Sequence, residues 1–117
     1  LEVPMSIQYK HPAWLNTVKQ GYDRLRGKYR SPSVNWLRPS GGNAAQMIQV
    51  AQQCLSQGND YVEFMLHSSE FMPGGSPTFK DDAAIEGLYR DLEALFTWLS
   101  YKTVGMTLAE FYQYKKN

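Results

Sequence analysis

The sequence has a single cysteine, Cys54, and two histidines, His11 and His67, among 117 residues. A lone thiol excludes an internal disulfide and any zinc site built on several thiolates. Two imidazoles so far apart along the chain leave no visible three-ligand metal site. No apolar run approaches the roughly 18 residues of a membrane span. Neither sign of charge dominates: twelve basic against eleven acidic side chains leave a formal charge of +1. That balance gives no strong field for a nucleic-acid backbone or an anionic membrane, and no nucleic-acid-binding signature is present. There is no internal repeat and no low-complexity tract. The first residues carry neither an initiator Met nor the charged-then-apolar layout of a signal peptide. The chain opens at Leu1 directly in strand-like alternation, which reads as a piece cut from something longer. Compartment is not legible.

What is present suits one modest globular core. Hydrophobic residues make up 43% and charged residues 20%, unlike a disordered segment. Residues 1–117 are read as one unit. Cys54 falls among helix-core positions and reads as a buried inert thiol. Lys19, Arg24, Arg26, Lys28 and Arg30 cluster, and read as the solvated face of a helix and its exit.

Strand-like and helix-like segments alternate. Leu1, Val3, Met5 and Ile7 share one face of an extended segment in which Pro4 argues for a sheet edge or an irregular strand. Pro12 suits a first helical turn, with Trp14, Leu15, Val18, Tyr22 and Leu25 at helical spacing and Gly27 as a stop. After a loop at Ser31-Pro32-Ser33, Val34 to Arg38 reads as a short strand. Asn43 is placed to cap a second helix, whose apolar stripe is Met47, Ile48, Ala51, Cys54 and Leu55. Tyr61 to Leu66, apolar but for Glu63, fits a strand buried on both faces, as in parallel sheets. A long loop from His67 to Lys80 precedes the clearest helix. There Thr78 and Asp81 have capping-box spacing, and Ile85, Leu88, Tyr89, Leu92, Leu95, Phe96 and Leu99 form the stripe. Val104 to Met106 reads as a last strand, and Thr107 as the cap of a last helix through Tyr112. This order predicts an α/β fold with three to four mainly parallel strands covered by helices.

In such folds functional groups gather where strands run into the following loops. His67 stands there, directly after the most apolar strand and ahead of an unusually long loop. A histidine in that place either acts on a ligand or hydrogen-bonds the loop backbone and organises it. Asp81 and Asp82 begin a helix, where carboxylates favour the helix dipole, and read as a cap. His11 reads as a surface residue.

Phe64-Met65-Leu66-His67-Ser68-Ser69-Glu70 resembles the last motif of polysaccharide deacetylases of the nodulation-protein type, a hydrophobic strand ending in Leu-His. Leu66 to Pro77 resembles a branch of that superfamily in which the His is followed by Ser-Ser-Glu and a Pro-Gly-Gly-Ser-Pro loop. Leu1-Glu2-Val3-Pro4 resembles that branch's strand two elements earlier, and Trp36-Leu37-Arg38-Pro39 the strand between. Leu108-Ala109-Glu110-Phe111 looks like the final helix. The resemblance implies the C-terminal portion of a distorted (β/α) barrel. It also implies metal-dependent N-deacetylation of a polysaccharide or amino sugar, with a divalent metal, usually zinc, and an Asp base.

Under that resemblance His67 is the general acid that protonates the leaving amine. Trp36 orients or walls off the catalytic groups, Arg38 pairs with a carboxylate, and Ser68, Ser69 and Glu70 border the substrate. The family's Thr-Phe-Asp-Asp motif and His-x-x-x-His pair are missing. Metal and base would therefore come from outside this chain, which alone should not catalyse. The second reading is a non-catalytic carbohydrate-binding or assembly domain with a degenerate form of the same fold. Exposed strand edges in a part-barrel further imply pairing of two copies through residues 1 to 8. Most aromatics fall on helical stripes and read as core packing.

Overall fold

The computed structural model describes residues 2–28 and 33–117. Leu1, Arg30 and the Ser31-Pro32 part of the expected loop lie outside them. The described elements are β1 (Ile7–Tyr9), α1 (Ala13–Leu25), β2 (Val34–Trp36), α2 (Ala44–Ser56), a 3₁₀ turn (Ser68–Phe71), α3 (Asp82–Ser100) and α4 (Leu108–Lys116). Helices thus dominate. Among the described residues β1 and β2 form the one sheet, an antiparallel pair with Ile7 opposite Trp36 and Tyr9 opposite Val34.

The expected three to four mainly parallel strands of a barrel portion are therefore corrected to a helical fold with one short antiparallel ladder. The error lies in reading an apolar run as a paired strand. Residues 61–66 are extended but only half-buried, and they meet the neighbouring backbone at isolated points. Ser6 N–H donates to the Glu63 carbonyl, Leu37 N–H to that of Ser6, and Met65 N–H to that of Leu37. Single bonds of this kind hold three extended segments together without a repeating ladder. Val104 to Met106, expected as a strand, is non-repetitive, and Val104 and Met106 are exposed.

Alternation within 61–66 still sorts the side chains. Val62 packs against the cluster of Leu37, Met47, Val50, Ala51, Cys54 and Leu95, where α2 meets α3. Leu66 packs against a second cluster of Phe79, Ile85, Leu88 and Leu92, and Phe64 touches both. Cys54 is buried in the first cluster, and its sulfur accepts from the Gln8 amide at 3.4 Å. Phe79 is the one aromatic in the buried core among the described residues. The aromatics on the helical stripes meet the expectation of core packing only in part: Trp14, Tyr22, Tyr89 and Phe96 are exposed, while Phe96 sets its ring edge-on to Phe64 and Trp98 packs against the first cluster.

Helix ends follow local chemistry. Asp81 is the N-cap of α3, its Oδ1 accepting from Ala84 N–H at 2.8 Å, so that helix is capped by Asp81 and not from Thr78. Thr107 and Glu110 form a capping box at α4, which runs on to Lys116. Asn43 precedes α2, but its side chain turns away from the helix: it donates to the Arg38 carbonyl and accepts from Ser40 N–H.

Candidate functional site

The site grows from the end of the extended segment 61–66. His67 leads into the 3₁₀ turn with an extended backbone, and Glu70 N–H donates to the His67 carbonyl at 2.9 Å. The side chain of Glu70 turns back into the protein and is 2% exposed. A carboxylate so placed must be paired or it would be neutralised. Both oxygens are used. Oε2 accepts from the His67 backbone N–H at 2.8 Å, and Oε1 accepts from the Arg38 guanidinium at 2.9 Å. Burial pushes the Glu70 carboxyl up, but the His67 N–H and the Arg38 charge outweigh it and hold the group below its ordinary value.

Arg38 is positioned in turn. It lies two residues beyond β2, and its carbonyl accepts from the Asn43 side-chain amide at 2.9 Å. Asn43 N–H donates to the buried Asp91 carboxylate of α3 at 3.2 Å. Asp91, Asn43, Arg38 and Glu70 thus connect α3, the start of α2 and the end of β2 to the backbone of His67. The loop beyond is closed by glycines. Gly74 has φ +74°, and a Cβ on Gly75 would lie 2.0 Å from the Ser69 carbonyl oxygen, so the second glycine permits contact no side chain allows.

Of the residues singled out from sequence, the structure joins Arg38, Glu70 and the main chain of His67. The His67 imidazole, Ser68 and Ser69 are exposed on the turn, and Trp36 at the end of β2 is 45% exposed. Beside the turn the Phe71 and Tyr89 rings meet at 5.8 Å, both partly open to solvent. Asn43 and Asp91 were not foreseen as part of the site. The available signal was Asp91 itself, a carboxylate on the core-facing side of α3 between Leu88 and Leu95. A cavity of about 240 Å³ opens elsewhere, lined by Val3, Glu63, Leu108 and Tyr112. One Glu63 oxygen is buried without a hydrogen-bond partner.

Among the described residues no three His, Cys, Asp or Glu side chains converge as metal ligands. Glu70 is committed to Arg38 and to the His67 backbone. Comparison with protein-family models, curated proteins and solved structures gave no match. No helix among the described residues is long and apolar enough to cross a membrane.

Proposed function

We propose that this chain contributes the proton-donating histidine of a hydrolase of the polysaccharide deacetylase type, acting on an N-acylated amino sugar. The observation that carries the reading is the mounting of His67: an exposed imidazole whose own backbone is pinned by a buried, ion-paired carboxylate. The resemblance of Phe64 to Glu70 supplies the reaction class. In amide hydrolysis the nitrogen leaves only if it takes a proton as the C–N bond breaks, and an imidazolium delivers one near neutral pH. Glu70 and Arg38 fix where the ring starts from, Ser68 and Ser69 border it, and Trp36 offers an open aromatic face. The divalent metal implied by the resemblance would have its ligands outside this chain, whose part is proton delivery. Pairing of two copies through residues 1 to 8 belongs to the same proposal, and a clean monomer by light scattering at high concentration would remove it.

The deciding experiment replaces His67 by Ala in the protein that carries this chain and follows amine release from N-acetylated amino-sugar oligomers. Turnover should fall at least about a hundredfold, the usual range for loss of a general acid. Metal content should stay the same. Unchanged turnover would remove the assigned role. A second reading, a carbohydrate-binding or assembly domain, is favoured by the half-open Phe71–Tyr89 pair, which presents rings for stacking on a sugar. Oligomer binding by the chain without deacetylation, lost on Tyr89→Ala and kept on His67→Ala, would select it.

A further inference from the structure

Helix α1 is the least explained element of the fold. None of its thirteen residues is buried. Yet Trp14, Val18, Tyr22 and Leu25 project at intervals of four, four and three, which puts them on one face. They are 67%, 65%, 54% and 89% exposed. A helix this short is marginal by itself, so an amphipathic one implies something that covers its apolar stripe.

The charges around the stripe narrow the choice. Residues 10–28 hold Lys10, Lys19, Arg24, Arg26 and Lys28 against the single acid Asp23. The near-neutral total of the chain hides this, because the rest of the molecule carries an acidic surplus. Arg26 lies over the Tyr22 ring at 4.7 Å, which sets its guanidinium at the border of the apolar stripe. Two copies packed in parallel through α1 would bring Lys19, Arg26 and Lys28 of each together, a like-charge arrangement. An anionic surface meets the opposite situation: it attracts this helix and repels the acidic remainder, which fixes the orientation of approach. Trp14 and Tyr22 each join an apolar ring to a polar edge, which suits the headgroup boundary of a bilayer better than a dry protein groove.

We propose that α1 is an interfacial anchor that lies flat on an anionic lipid surface, with Trp14, Val18, Tyr22 and Leu25 entering the acyl boundary and the basic residues in the headgroup layer. The proposal does not depend on the reaction assigned to His67. It is tested by co-sedimentation of the whole chain with phosphatidylcholine vesicles and with vesicles of three parts phosphatidylcholine to one part phosphatidylglycerol. Binding to the anionic vesicles should be at least about tenfold stronger and should collapse in high salt. Val18→Glu, on an exposed face where folding is not at stake, should abolish it. The pair Lys19→Glu and Arg26→Glu should erase the preference for anionic lipid. Equal binding to both vesicle types, no binding to either, or binding that survives Val18→Glu would each overturn the proposal. So would self-association in the absence of lipid that Val18→Glu dissolves, because the face would then belong to a second copy.

Discussion

The residue whose removal says most about the site is Glu70. It is buried, accepts from two donors and sits below its ordinary carboxyl value. Glu70→Gln keeps the volume but sets an amide where two donors expect a charge, and should cost about 1.5 to 3 kcal/mol in urea unfolding at pH 7. The pH dependence follows from the direction of the shift. A carboxyl whose folded value is depressed contributes its stability above its unfolded value, roughly pH 4, and loses it as pH falls through the lower folded value. The gap between wild type and Glu70→Gln should therefore be constant from pH 5 to 7 and narrow below pH 4. A gap that widens in acid would mean that Glu70 is neutral in the folded protein. His67 was singled out because a strand-like run ending at a histidine is a pattern of residue types. Its support was only partly so. Asn43 and Asp91 act through backbone amides and carbonyls, and a hydrogen bond to backbone leaves no spacing in the sequence to read.

At the scale of elements, helices were legible and strands only in part: Val34–Trp36 forms within the expected Val34 to Arg38, whereas 61–66 and 104–106 form none. Helical stripes and caps are local, so the sequence around Asp81 or Thr107 is enough to place a start. A strand is defined by its partner, and nothing within Tyr61 to Leu66 says whether one lies alongside. Burial of α1 failed for a related reason: periodicity shows which face is apolar, not what covers it. Two substitutions check the local account. Asp81→Ala removes the acceptor for Ala84 N–H and should lower stability by about 1 kcal/mol, measured by urea midpoint at constant slope. Gly75→Ala places a methyl carbon 2.0 Å from the Ser69 oxygen, so the turn under His67 must move. Chemical shifts of Ser68 to Gly74 should change while those of α2 stay in place. Shifts confined to residue 75 would show that the loop gives way more cheaply than its geometry implies.

For the whole molecule, the clusters on α2 and α3 and the segment through Phe64 form the stable body, and α1 and α4 add little to it. The Cα radius of gyration is 17.0 Å, against about 13 Å for a compact domain of this length. Helix α4 has no buried residue and is tied down by an edge contact of Phe111 on Tyr61 and by an exposed Lys115–Asp60 ion pair. Such surface pairs stabilise weakly and are screened by salt. Leu88 is fully buried, and Leu88→Ala should cost about 2 to 5 kcal/mol. Stability is then graded across the chain, which native-state hydrogen exchange reads amide by amide. Amides in the middle of α2 and α3 should open only with global unfolding and slow or speed together when Leu88 is changed. Those of α1 and α4 should exchange early and ignore that substitution, with α4 faster still in high salt. Protection of α1 equal to that of α3 in the lipid-free chain would mean that its apolar stripe is already covered, and would remove the ground for a surface-seeking helix.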